Sequence, residues 1–455
     1  MFDLPKYGDG ICLARLAELL NVLGIRRVWL QRNSVVVTGS NGKGSTAAMC
    51  AAIGRAYGLR TGLFTSPHLL RFNERIRIDD AEIGDDDFAR CQQRVETAIA
   101  AISQQRGEKF GAFEALFAIA CLHFEESRCD FIVFEAGIGG RYDPIRLVGA
   151  RETCVTSIDY EHVELLGNTL ELIASDKSDA CASGGTIIYG DNCRDLRRHL
   201  LEYNRHRGIS SLFVRDEIGI GGEQAAVSGQ RFDYRYINPD YRGSGTRILG
   251  AVQTLHDYRG LETRLLGAVQ FNNAAIAVTL FLLWLERTSP HKDVDRIEAA
   301  IRVGLRDTQW PGRLEVIAQD PLTVIDVGHT PDGIRQSLAG LKRIHGADDW
   351  ILVTGASGDK KAGGIVGALA PSFDTIICTA AYHKGAKPQD IAAAARLANP
   401  AAEIHVPGTI EDAVRLAREL AASRTRRLYV AGGLFLAIEY ATAARGGRAQ
   451  DLKFF

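Results

Sequence analysis

The sequence predicts an α/β protein of two doubly wound domains, a P-loop NTPase-type nucleotide-binding domain followed by a Rossmann-like one. Three observations predict it. The apolar run Ser34-Val35-Val36-Val37-Thr38 leads into the turn Gly39-Ser40-Asn41-Gly42-Lys43-Gly44-Ser45-Thr46 and then into an alanine-rich helical stretch. Beyond Trp310-Pro311-Gly312 the strand and helix patterns alternate cleanly. The chain has 455 residues, more than one ordinary domain holds.

Leu13, Leu16, Leu19, Leu20 and Leu23 recur at helical spacing ahead of the first strand, and residues 46–57 read as helix after the turn. Further buried strands are predicted at Phe131-Ile132-Val133-Phe134 and Cys154-Val155-Thr156-Ser157-Ile158. Each ends where polar residues begin, and in open parallel sheets ligands bind at that end. Residues 208–260 are rich in glycine and in alternating stretches such as Arg231-Phe232-Asp233-Tyr234-Arg235-Tyr236, which predicts a β-rich excursion. An amphipathic helix over 272–286 follows, and Trp310-Pro311-Gly312 marks a junction between domains 1–308 and 309–455. In the second domain, strands at 323–325, 350–353, 375–378, 403–406 and 427–430 alternate with helices at 332–344, near Gly364, at 388–397 and at 410–422.

A formal net charge of -1 supplies no overall field for nucleic acid or anionic lipid, so small-molecule substrates are expected. Nine cysteines without CxxC or metal-ligand spacing suit reduced thiols in a cytoplasmic protein. The start, Met1-Phe2-Asp3-Leu4-Pro5-Lys6, has no targeting pattern, and the most apolar stretch, 274–285, is too short to span a bilayer. A monomer without nucleic-acid or membrane partners is expected.

In the glycine-rich turn, backbone N–H groups and a helix N-terminus can hold phosphate oxygens, with Lys43 neutralising charge and Ser45 or Thr46 near the phosphates and Mg²⁺. The strict phosphate-loop pattern places glycine where Val37 stands and Ser or Thr where Gly44 stands, so this loop departs from it.

This loop resembles the phosphate loop of folylpolyglutamate synthases, and Thr65-Ser66-Pro67-His68-Leu69-Leu70-Arg71-Phe72-Asn73-Glu74-Arg75-Ile76-Arg77 is similar to that family's mobile loop over the pterin site. Colinear matches follow at Glu135-Ala136-Gly137-Ile138-Gly139-Gly140-Arg141, His162 with Leu166-Gly167, Lys177, Gln270 with Asn273, Trp310 to Glu315, and Asp326-Val327-Gly328-His329. The resemblance is thus to the folylpolyglutamate synthase/dihydrofolate synthase family of the Mur ligase superfamily. It implies a Mur ligase central domain, a Rossmann-like Mur ligase C-terminal domain, and ATP-dependent joining of an amino acid, glutamate, to a carboxylate through an acyl phosphate.

The resemblance also implies roles. Lys43, Lys177, His162 and His329 would be catalytic, and residues 39–46 with Asn273, Arg313 and Asp326 would bind ATP, with Arg313 near phosphate and Asp326 near ribose. Ser66, Glu135 and His162 would hold two Mg²⁺ ions, helped by Lys177 as a carbamate. Arg71, Phe72, Asn73 and Arg75 would bind the acceptor. Read by residue type alone, Asn273 is equally a helix cap, Glu135 a cap or ion-pair partner, His162 a structural histidine, and Lys177 a partner of Asp176 or Asp179.

Two departures bear on substrate. Asp143-Pro144-Ile145-Arg146 replaces the family's Asp-Ala-Thr-Asn, and Asp326-Val327-Gly328-His329-Thr330 replaces Asp-Gly-Ala-His-Asn. Arg146 is expected to add charge near the acceptor, and Thr330 to alter hydrogen bonding near the nucleotide. A paralogous ligase for another carboxylate is therefore the alternative, with a P-loop kinase and a non-catalytic nucleotide-binding regulator behind it.

Overall fold

A computed structural model describes residues 4, 9–10, 12–236, 256–289, 293–358, 362–452 and 454. The first sheet comprises β1 (Ser34–Thr38), β2 (Thr61–Phe64), β3 (Ile76–Ile78), β4 (Ala81–Glu82), β5 (Phe131–Glu135), β6 (Glu152–Val155), β7 (Thr186–Tyr189) and β8 (Ser210–Phe213). Its order is β4-β3-β2-β5-β1-β6-β7-β8, parallel except for the β3 and β4 edge. Strands β1 and β5 carry near-continuous apolar runs because both faces are covered. Val35, Val37 and Val133 pack under helices Lys43–Ala56, Val269–Thr288 and Val294–Asp307, while Val36, Ile132 and Phe134 pack under Leu13–Val22, Asp85–Arg106 and Ala112–Glu126.

An antiparallel sheet of β9 (Ile218–Ala226), β10 (Gly229–Tyr236) and β11 (His256–Thr263), in the order β11-β10-β9, lies against helix Val269–Thr288. In β10, Phe232, Tyr234 and Tyr236 point inward and Arg231 and Arg235 outward, the period of two that the sequence displays. The expected start of the excursion at 208 is corrected, since 210–213 is an edge strand of the main sheet; residues 237–255 of it lie outside the described residues. The expectation from the apolar stretch 274–285 is corrected too. Helix Val269–Thr288 has 20 residues, long and apolar enough to cross a membrane by length and composition, but 78% of its apolar window is buried inside the fold.

The third sheet has β12 (Glu315–Gln319), β13 (Leu322–Asp326), β14 (Trp350–Thr354), β15 (Thr375–Cys378), β16 (Glu403–His405) and β17 (Arg427–Ala431), ordered β12-β13-β17-β14-β15-β16. All neighbours are parallel except β12 and β13. Helices Pro331–His345, Ala362–Leu369 and Pro388–Ala398 pack on one face, and Ile410–Arg424 and Leu434–Ala444 on the other.

Candidate active site

In the first sheet Val37 is in register with Glu135 and Thr38 with Val155, so the loops leaving β1, β5 and β6 emerge side by side. The loop after β1 is shaped by its glycines. Gly39 has φ +135°, and a Cβ there would stand 2.0 Å from Thr156 Oγ1. The loop is fastened to the segment after β6: Ser157 Oγ accepts the Asn41 N–H at 2.8 Å, and Thr156 Oγ1 donates to the Asn41 carbonyl at 2.6 Å. Lys43 folds back to donate to the carbonyls of Gly39 (2.8 Å) and Ser40 (3.2 Å). The hydroxyls of Ser45 and Thr46, in the first turn of helix Lys43–Ala56, are buried without a protein partner. Buried polar atoms rarely stay unpaired, and these two lie in the first turn of the helix that follows the glycine loop.

Gly44 also has a steric reason. A Cβ there would meet the Trp310 indole at 2.8 Å, so the hydroxyl residue of the strict motif is excluded by the junction tryptophan. Gly44→Thr is expected to destabilise the protein by about 1–3 kcal/mol through overpacking and to weaken nucleotide binding. Thermal melts and a nucleotide titration check this, and a variant that melts like the parent contradicts it.

Glu135, at the end of β5, is buried and accepts the Ser66 N–H at 3.0 Å. Burial pushes its carboxyl up to about 7, against the pull of Lys43, the Ser66 N–H, Arg313 and Arg75. Its ordinary value is 4.5, so the folded state holds a proton that the unfolded chain releases. Its contribution to stability is complete below about pH 4.5 and is lost as the pH rises through about 7, on the order of 3 kcal/mol. Denaturant melts of the ligand-free protein should show wild type losing that much relative to Glu135→Gln across this window. A constant difference between the two would contradict the assignment.

Three further carboxylates reach the same cleft, none of which the sequence marked as a site residue. Asp143 accepts from the N–H groups of Gly137 (2.9 Å), Ile138 (3.0 Å) and Ile145 (3.0 Å), and burial pushes it up to about 6 against those bonds. Asp176 accepts the Gly140 N–H at 2.9 Å. Glu161 lies 2.6 Å from Lys177 Nζ. Lys177 is therefore partnered neither by Asp176 nor by Asp179 but by Glu161, and it is 1% exposed. Burial lowers its pKa against the attraction of Glu161. The clue to Glu161 was its place beside His162.

A cleft of about 940 Å³, of ligand size, runs between the two domains. From the first domain it takes residues 40–44, Ser66, Phe72, Arg75, Glu135 and His162; from the second, Arg313 and His329. Lys177 stands behind Glu161, outside the lining. Asn273 sits beneath Gly42, whose Cβ would come within 2.6 Å of its Oδ1. It is the fifth residue of helix Val269–Thr288 and bonds Gln270, so the helix-cap reading is corrected. Asp326 is buried behind the wall. Its Oδ1 accepts from Gly328 N and Ser337 Oγ, both at 2.8 Å, and its Oδ2 from Leu314 N at 3.2 Å, which leaves a ribose at most one of its roughly four lone-pair directions.

Two of the expected acceptor residues are corrected. Arg71 pairs with Asp85 at 2.6 Å, and Asn73 donates to Ile83 O (2.7 Å) and the same Asp85 (2.9 Å), so both turn away from the cleft that Phe72 and Arg75 line. Arg146, expected to add charge near the acceptor, is exposed and donates to Arg141 O at 2.8 Å. Thr330 caps helix Pro331–His345 through Gly333 N (3.1 Å) and donates to Asn41 Oδ1 (3.2 Å), which ties the second domain to the phosphate loop.

A phosphate loop facing an arginine and a histidine from a second α/β domain defines a two-domain ligase of the Mur type, and residues 312–433 match the Mur ligase, glutamate ligase domain. The chain is 30% identical over 343 residues to the dihydrofolate synthase/folylpolyglutamate synthase of Bacillus subtilis, covering 74% of each, and 29% identical to the folylpolyglutamate synthase of Lacticaseibacillus casei, covering 82% of this chain and 81% of that one. The Mycobacterium tuberculosis folylpolyglutamate synthase complexed with ADP and AMPPCP superposes with a TM-score of 0.81 at 28% identity, covering 97% and 96% of the two chains. A folylpolyglutamate synthase–AMPPCP–folate complex gives 0.75 at 28% identity, with 96% of each covered. The chain belongs to the folylpolyglutamate synthase/dihydrofolate synthase family, ATP-dependent ligases of the Mur ligase superfamily.

Proposed function

We propose that this chain adds L-glutamate to a pterin-derived acid, as a dihydrofolate synthase or folylpolyglutamate synthase, acting as a cytoplasmic monomer with ATP and Mg²⁺. The observation that carries it is the shared cleft, where the Phe72 and Arg75 wall, the Lys43 loop and Arg313 with His329 meet. Relatives solved with AMPPCP and with folate support the nucleotide and the acid. Nine free cysteines suit a thiol-reducing compartment, although relatives include mitochondrial enzymes of Cricetulus griseus and Homo sapiens.

The acid's carboxylate attacks the γ-phosphorus, ADP leaves, and the amine of glutamate displaces phosphate from the acyl phosphate. Two negatively charged groups must meet, so electrostatic clamping supplies most of the rate. Lys43 lies along the phosphates from the first domain and Arg313 from the second. The Arg313 Nε–H is buried without a protein partner among the described residues, which suits a group awaiting an anion. His329 closes the nucleotide side, and Asn273, behind Gly42, supports the adenine end.

The residues fit Mg²⁺. Glu135 is a buried carboxylate whose pKa burial raises against the pull of Lys43, Arg313 and Arg75, and Ser66 adjoins it through its N–H; a buried hard oxygen donor of this kind suits a divalent cation. Glu135, Ser66 and His162 would hold the ion, together with phosphate oxygens, because among the described residues no three His, Cys, Asp or Glu converge. When bound, it neutralises charge on the phosphates. Lys177, whose ammonium form burial disfavours, can take up carbon dioxide as the neutral amine, releasing a proton and becoming a carbamate anion.

The test is ADP release with dihydropteroate or a folate, each with and without glutamate. Release that requires both acid and amine is expected; release with the acid alone would replace the ligase reading by a kinase. A different carboxylate is the second reading, favoured by Pro144, a departure from the family pattern that lines the cleft.

A further inference from the structure

Arg75 reaches the cleft wall because the loop before it is held internally. The Glu74 carboxylate accepts from the N–H groups of Leu69 (2.7 Å), Leu70 (2.7 Å) and Arg71 (2.8 Å), which fixes the turn Phe72–Arg75. Arg75 is 4% exposed, and its guanidinium lies 5.5 Å over the Phe72 ring. Its Nε–H donates to Nδ1 of His68 at 2.8 Å. His68 is 1% exposed, stands with its ring 4.4 Å from that of Phe72, and does not itself line the cleft.

Nδ1 can accept only if it carries no proton, so this ring is the Nε2–H tautomer. An arginine held in this way has lost rotamer freedom before any ligand arrives. Because Nε–H donates to His68, a carboxylate in the cleft would be met from the Nη side of the guanidinium, and pairing that edge with both oxygens of a carboxylate fixes the plane of the acid. Burial lowers Arg75 to about 10, so it stays cationic at neutral pH.

We propose that His68 is a positioning residue for the acceptor acid: by accepting the Arg75 Nε–H it sets the guanidinium plane, and so the orientation in which the acid's carboxylate is presented in the cleft. This rests on Arg75 as an acceptor-binding group and goes beyond it, because His68 contacts no substrate and acts through Arg75. The side chain of asparagine can offer an acceptor oxygen where Nδ1 stands, whereas leucine fills similar space with none.

Steady-state kinetics of His68→Leu and His68→Asn test this, after thermal melts have established that both are folded. His68→Leu is expected to raise the KM for the acceptor about tenfold with little change in the KM for ATP, and His68→Asn to restore most of the loss. An unchanged acceptor KM in folded His68→Leu, a parallel rise in the KM for ATP, or an Asn variant as impaired as the Leu variant would each overturn the proposal. If the wild-type enzyme releases no ADP with any folate acid, the functional reading fails by itself. The role of His68 is then read in the free protein from the ¹⁵Nε–H resonance of Arg75. Slow exchange in wild type and His68→Asn with fast exchange in His68→Leu supports it; equal exchange in all three overturns it.

Discussion

Lys43→Ala is expected to lower turnover about 10³-fold while the melting temperature stays within a degree or two of wild type. Among the described residues the ammonium hydrogen-bonds two backbone carbonyls of its own loop, Gly39 and Ser40, and lines the cleft, so the fold loses little packing when it is removed. The transition state loses much more, since charge spread over the transferred phosphoryl group would keep Arg313 but lose its first-domain counterpart. Paired calorimetric melts and ADP-release assays check both halves. Near wild-type turnover in a folded variant would remove the phosphate-loop assignment, and a collapsed melting temperature would show that Lys43 serves structure instead.

Lys177→Ala should abolish ligation and also destabilise the protein. In the unmodified form Lys177 and Glu161 form a buried ion pair, and deleting one partner leaves the other charge without compensation, at about 3–5 kcal/mol. Stability and chemistry are separable here. In Lys177→Ala/Glu161→Gln the stranded carboxylate is gone, so the melting temperature should largely recover while ligation does not. Nucleotide binding should persist in part, and small carboxylates should partly rescue ligation in Lys177→Ala by occupying the vacated space. A double variant that regains both stability and ligation would reduce Lys177 to a structural ion.

The elements most legible in the sequence were those whose signal is local. The Val35 to Val37 run, the glycines with Lys43, and the alternation beyond Trp310 each carry a period or a backbone requirement that neighbouring residues reveal. Strand β12 was not legible, because its residues are half-buried or exposed, without alternation, and it pairs as an antiparallel edge. Nor was the direction of side chains on the short turn Phe72–Arg75. Adjacent residues there diverge, Phe72 and Arg75 into the cleft and Arg71 and Asn73 onto Asp85, and no spacing rule separates them. Glu161, Asp143 and Asp176 reach the one cleft from separate segments of the chain, each at its own place in the lining, so no linear motif joins them. The resemblance supplied the metal and acceptor residues, and the tertiary structure sorted those that line the cleft from those that support it.

Isotope transfer tests the central claim, amide formation through an acyl phosphate, most directly. With ATP, glutamate and an acceptor acid whose carboxylate carries ¹⁸O in both positions, one ¹⁸O atom should appear in each inorganic phosphate released and the other should remain in the amide carbonyl, read by mass spectrometry of both products. Phosphate free of ¹⁸O, with the product still formed, would contradict the account.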